Sequence, residues 1–156
     1  MQSITHYYEE DHDRLDELFR TYQAKKRSDF AKAKEAFAEF KIGLQRHIVW
    51  EEDILFPVFE NKTGMREMGP TVVMRREHLQ IGAALECLHQ KVREGNPNTD
   101  EEEKVLLDVL SVHNEKEESK LYPTIDRLLN QEETDQVFEK MKQVPKERYA
   151  TCCGGD

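Results

Sequence analysis

Six residues of metal-binding type stand in a repeated pattern. His47, Glu51, Glu52, Leu55, Phe56 and Pro57 match His113, Glu117, Glu118, Leu121, Tyr122 and Pro123 at an offset of 66. The same offset carries His12 to His78, Asp11 to Glu77, Leu15 to Ile81 and Phe19 to Leu85. Positions i and i+4 of a helix differ by only about 40° around its axis, so His47 shares a face with Glu51, and His113 with Glu117. Glu117 is preferred to Glu118 because i+4 lies nearer the histidine face than i+5. Burying one unpaired carboxylate or imidazolium costs several kcal/mol, and burying six would unfold an ordinary domain. A bound pair of cations satisfies all six at once, with metal charge in place of protons. Imidazole and carboxylate without thiolate suit iron, manganese or zinc. The ligand set is then His12, His47, Glu51, His78, His113 and Glu117, with two histidines per metal and both glutamates bridging. Open positions remain for a bridging oxygen or a small ligand.

Helices must position these groups, because apolar residues recur at helical spacing along almost the whole chain. Ser3 is the expected N-cap of a first helix to about Lys26, with Ile4, Tyr8, Leu15, Phe19 and Tyr22 on one stripe. Ser28 is expected to cap a second helix, which carries Phe37, Phe40, Leu44, Ile48, Leu55 and Phe59 to about Asn61. Gly64 and Gly69 bracket a turn, and Pro70 opens a third helix with Met74, Ile81, Leu85, Leu88 and Val92. Thr99 and Glu102 have capping-box spacing for a fourth helix through Leu106, Leu110, Leu121, Ile125 and Leu128. A shorter amphipathic segment runs from about Glu132 to Met141. The expected fold is all-α: an up-down-up-down four-helix bundle with a short C-terminal helix, over residues 1–143. Residues 144–156 read as a flexible tail. At about 1.5 Å rise per residue, the four histidines fall in one mid-bundle layer to within a turn or two.

The two His-x-x-x-Glu-Glu-x-x-Leu-aromatic-Pro segments, with an isolated histidine upstream of each, resemble the hemerythrin-like family, the HHE cation-binding domain. The resemblance covers roughly residues 3–130. It implies a four-helix bundle around a non-haem di-iron centre, two irons with an oxo or hydroxo bridge, that binds dioxygen, nitric oxide or peroxide. Manganese or zinc is the lesser expectation. Oxygen-carrying members have a fifth histidine where this chain has Met74, and place their last carboxylate where it has Glu118. The four-histidine, two-glutamate set looks more like the branch that includes the repair-of-iron-centres proteins, which usually carry an additional N-terminal cysteine-bearing segment.

Residues around the set have narrower expectations. Tyr8, one turn before His12, packs in the core or lines the ligand pocket. Asp11 and Glu77 read as surface charges, with a proton relay into the site as the alternative, and Glu52 and Glu118 as solvent-facing carboxylates, with a hydrogen bond to histidine as the alternative. Pro57 and Pro123 are expected to kink or end their helices. His89 reads as satisfied or exposed. Cys152 and Cys153 read as part of a plain chain end, with a redox pair as the alternative.

The chain has 156 residues and a net charge of -9, which disfavours a nucleic-acid partner. No apolar run approaches the roughly 20 residues of a membrane span. Three cysteines and no visible secretory signal give the cytoplasm as the expected compartment. Three functions are compatible: a carrier or sensor, a redox enzyme acting on peroxide or nitric oxide, and an iron store or donor for cluster repair.

Overall fold

Four long helical arms carry the apolar stripes. In the computed structural model, which describes residues 2–150, the first arm is α1 (Ile4–Lys25). The second is α2 (Phe30–Trp50), a π-turn over Glu51–Leu55, and α3 (Phe56–Thr63). The third is α4 (Pro70–Arg93). The fourth is α5 (Asp100–Lys116), a π-turn over Glu117–Leu121, and α6 (Tyr122–Leu128). α7 (Gln131–Gln143) and α8 (Glu147–Ala150) follow, and no strand occurs among the described residues.

The helix starts show which local signals won. Ser3 accepts the His6 N–H, and the Asp126 carboxylate accepts the N–H groups of Ile4 and Thr5 at 2.8 and 3.0 Å, tying the start of α1 to α6. Asp29, not Ser28, caps α2. Its backbone has left the helical region (φ -148°, ψ 82°) and its side chain accepts the Lys32 N–H, whereas Ser28 lies inside the preceding turn. The Thr99–Glu102 capping box does not form. The Thr99 hydroxyl is drawn to Glu103, and Glu102 faces Lys91 at 2.9 Å. A capping box forms instead at Asn130 and Glu133, opening α7.

Pro57 and Pro123 do not end their arms. Each follows a π-turn, in which the Phe56 N–H bonds the Glu51 carbonyl and the Tyr122 N–H bonds the Glu117 carbonyl. Widening the register absorbs the missing proline N–H without breaking the rod. At the first turn the Arg75 guanidinium donates to the Glu52 carbonyl at 3.3 Å.

The core has two apolar parts. Leu15, Phe19, Phe40, Leu44, Ile81 and Leu110 belong to one, which we call the near cluster. Tyr8, Trp50, Phe56, Met74, Leu121 and Tyr122 belong to the other, the far cluster, which α7 covers with Val137 and Met141. On every arm a histidine falls between the two: His12 between Tyr8 and Leu15, His47 between Leu44 and Trp50, His78 between Met74 and Ile81, and His113 between Leu110 and Leu121. Within the segment expected to be a tail, Glu147–Ala150 is helical and Arg148 pairs with Asp53 at 2.9 Å. Cys152 and Cys153 lie outside the described residues.

Candidate metal centre

The polar layer between the clusters is closed to solvent. His12, His47, His78 and His113 are buried, and Glu51 and Glu117 are fully so. Each glutamate lies between histidines of two different arms. One Glu51 oxygen is 3.6 Å from His47 Nε2 and the other 3.1 Å from His78 Nε2. One Glu117 oxygen is 3.4 Å from His12 Nε2 and the other 3.3 Å from His113 Nε2. The six residues therefore divide into a His12–His47 side and a His78–His113 side, with one oxygen of each carboxylate facing each side. Donor atoms of Glu51, His78, His113 and Glu117 lie within 4.8 Å of one another, as do those of His12, His47 and Glu117.

This donor set fits a pair of cations. Among the described residues His12 Nε2, on one side, and Glu117 Oε2, on the other, are buried with no hydrogen-bond partner, a cost that a Lewis acid on each side removes. Both π-turns begin at the two glutamates, and such single widened turns concentrate at functional sites.

The outer nitrogen of every histidine is held by a carboxylate from a neighbouring arm. Nδ1 of His12 is 2.6 Å from Glu118, that of His47 2.8 Å from Asp11, that of His78 2.7 Å from Glu52 and that of His113 2.9 Å from Glu77. Asp11 and Glu77, read from sequence as surface charges, are thus turned inward. Asp11 is buried, and Glu77, also paired with Lys116, is half-buried. Glu52 and Glu118 stand at the edge with about a third of their side chains exposed. The four pairs obey the 66-residue repeat, since Asp11 corresponds to Glu77 and Glu52 to Glu118. Carboxylates placed this way fix the ring orientation and tautomer and strengthen Nε2 as a ligand.

Charge follows geometry. Burial disfavours a cationic His47, but the Glu51 charge and the bonds to Asp11 and Glu51 overcome it and raise the imidazole to about 10. His78 is raised to about 9, where the bonds to Glu51 and Glu52 outweigh burial. His113 is raised in the same way by Glu117. Burial opposes ionisation of Asp11, yet His47 pulls its carboxyl down to about 2. Without a cation these shifts favour protons on His47, His78 and His113, where metal charge would otherwise stand.

The hemerythrin HHE cation-binding domain family model matches residues 3–125. The chain belongs to that family. The match takes in all six metal-type residues, the four outer carboxylates and both π-turns. No curated protein and no solved structure matches the chain.

This HHE domain is not symmetric at its centre, and the asymmetry rests on a residue that the sequence reading quoted without a role. The Tyr122 hydroxyl lies 2.6 Å from Glu51 Oε2, 2.8 Å from Glu117 Oε1 and 3.2 Å from His47 Nε2. Its single proton is shared between two carboxylates, on the His12–His47 side. Burial, then the Glu117 and Glu51 charges, push the phenol well above its ordinary range. The repeat partner is Phe56, which stacks on His78 at 5.6 Å and brings no oxygen. The signal was present in the sequence as one hydroxyl breaking an otherwise matched pair. Tyr8 packs edge-on to the His47 ring at 5.0 Å, and its hydroxyl turns away to Met141 Sδ at 3.5 Å. Met74, the counterpart of Tyr8, is buried in the far cluster.

Proposed function

We propose that this hemerythrin-like protein is a non-haem di-iron protein, its two irons joined by an oxo or hydroxo bridge. In this reading it binds or reacts with dioxygen, nitric oxide or peroxide, in oxidative or nitrosative stress or in sensing. The observation that carries the proposal is the pair of fully buried glutamates, each offering one oxygen to each histidine pair. When bound, two irons supply Lewis acidity and a source or sink of electrons for a small ligand.

The chain's own residues do the rest. Asp11, Glu52, Glu77 and Glu118 hold the imidazoles at fixed angles. The two apolar clusters keep water from both ends of the layer. A cavity of about 10 Å³ beside His12, His47, Glu51 and His113 is bounded by Leu15, Leu44 and Leu110. That space suits a molecule of water's size, which supports a diatomic or peroxide over a larger organic substrate. Asp16, Leu110 and Asn114 line both this cavity and an outer groove between α1 and α5, a route by which a small molecule would reach it. Tyr122 holds a proton on the His12–His47 side.

The test begins with iron per chain after anaerobic loading, expected at two, and continues with an optical titration against air and then deoxygenation. A band that forms and reverses supports a carrier or sensor. One that persists until reductant is added supports redox turnover. Less than one iron per chain after supplementation, with no band in either direction, would overturn the proposal.

A further inference from the structure

The small cavity at the metal layer has two unlike flanks. On the flank between α1 and α5 it shares Asp16, Leu110 and Asn114 with an outer groove of about 450 Å³. Four carboxylates line that groove, those of Asp13, Asp16, Glu115 and Glu118. Against them stands one guanidinium, of Arg20, which already pairs with Glu17 at 3.2 Å. Asp13 and Glu115 are exposed, whereas Asp16 and Asn114 are half-buried where groove and cavity meet. Beyond them the cavity is walled by His12, 4% exposed, whose Nε2 has no hydrogen-bond partner among the described residues. Glu118 belongs to both places: it lines the groove, and one of its oxygens is 2.6 Å from His12 Nδ1.

The 66-residue repeat shows that this polarity is confined to one flank. Between α4 and α2 the positions of Asp13, Asp16, Asn114 and Glu115 are taken by Leu79, Gly82, Ile48 and Val49. Ile48 also walls the cavity, so a branched apolar side chain stands where the other flank has an amide. The pocket on that flank carries Lys34, Arg93 and the buried His89, and it shares no wall residue with the cavity. Of the groove's carboxylates only Glu118 keeps an acidic counterpart, Glu52, which likewise holds a histidine. Holding the rings explains Glu118 and Glu52, but it does not explain Asp13, Asp16 and Glu115.

We propose that the groove between α1 and α5 is the entry by which divalent cations reach the metal centre. The inference rests on the di-metal reading. An acidic groove concentrates cations at its surface before any ligand is met. Carboxylate and amide oxygens suit a hydrated divalent ion, because they can take the place of its waters. Asp16 and Asn114 stand where the ion must shed those waters to enter a cavity of about 10 Å³. His12, with its unpaired Nε2, then receives it. Four carboxylates do nothing for a neutral diatomic, which an apolar route would admit as well.

The experiment follows Co²⁺, an optical stand-in for ferrous iron, into the metal-free full chain by stopped flow. Metal per chain and release to a chelator are measured on the same samples. Asp13→Asn with Glu115→Gln removes two exposed charges from the groove. Glu35→Gln with Glu39→Gln removes two exposed charges from α2 and serves as the control. We expect the groove pair to slow loading about tenfold at about 10 mM salt and the control pair by less than about twofold. The difference should fade by about 300 mM, as screening shortens the reach of the charges. Asn114→Ile should slow loading and release alike, several-fold, with two metals still bound per chain. Equal loading rates in the groove and control pairs overturn the inference. So does loss of metal at saturation from the groove pair, which would make these carboxylates ligands. Two metals per chain, loaded at one rate in every variant, would remove the entry and leave the di-metal reading intact. Less than one metal per chain in the unaltered protein would overturn both.

Discussion

At the scale of single residues, the centre consists of donors held by other donors. Nδ1 of His47 rests on Asp11 and that of His113 on Glu77, so removing either carboxylate leaves the ligand set complete but poorly aimed. We expect Asp11→Asn and Glu77→Gln to keep two metals per chain at saturation while weakening affinity about 10- to 100-fold, read by competition with a chelator. Retention of full affinity in both would show that the carboxylates merely cap the rings. Tyr122 supports a different expectation, because its hydroxyl touches only the His12–His47 side. Tyr122→Phe should alter the optical spectrum and affinity of one metal position and leave the other unchanged, whereas an equal change at both would remove the asymmetry argued above.

The six central residues were legible in the sequence because a repeat offset and an i, i+4 spacing coincide on them. The outer carboxylates obeyed the same offset yet were read as surface. Asp11 and Glu77 each precede a histidine and Glu52 and Glu118 each follow a glutamate, so all four stand off the apolar stripe of their own helix. What the helical wheel omits is the neighbouring arm. A carboxylate off its own stripe can still meet a histidine across a helix–helix interface.

At the scale of elements, the long helices were readable from apolar period and the turn glycines, but their details were settled by competition among near neighbours. Ser28 lost the cap to Asp29, and Thr99 lost its box to the buried Glu103. Of the two expectations for the prolines, a kink or a helix end, the end does not occur, because an isolated proline rule ignores register. One widened turn, starting at a glutamate that must face inward, makes room for the proline that follows. The contact between α1 and α2 gives a sharper test. A Cβ added at Gly43 would stand 2.6 Å from Leu15 Cδ2 and 2.9 Å from an Arg14 nitrogen. Arg14 can swing away, but Leu15 is buried in the near cluster beneath the metal layer. Gly43→Ala should destabilise the protein by about 1–3 kcal/mol, lowering the midpoint by several degrees in a thermal scan. An unchanged midpoint would mean that the two helices separate more easily than their packing indicates.

At the scale of the whole molecule, the metal layer joins two apolar clusters, so its protonation state governs stability as well as binding. Histidines raised to about 10 and about 9 hold more protons folded than unfolded, where the imidazole sits near 6.5. Their stabilising contribution is therefore complete below about pH 6.5 and lost as pH rises through 9 to 10. Asp11, depressed to about 2, acts in the opposite sense: its contribution is present above about pH 4 and lost as pH falls through 2. Metal-free protein should then be most stable between about pH 4 and 6.5 and weaken steadily on the alkaline side. Metal reverses the alkaline trend, because each cation displaces protons from imidazoles that must be neutral to ligate. Loading at pH 7.5 should accordingly release about two protons per chain, measurable in weakly buffered solution. The gap between the midpoints of loaded and metal-free protein should widen from pH 6 to pH 9, since binding to the folded state alone stabilises by mass action and binding tightens as protons leave. Parallel midpoints across that range, with no proton release on loading, would mean that the buried histidines are neutral without metal. The carboxylates around them would then be stabilised by some means other than imidazolium charge.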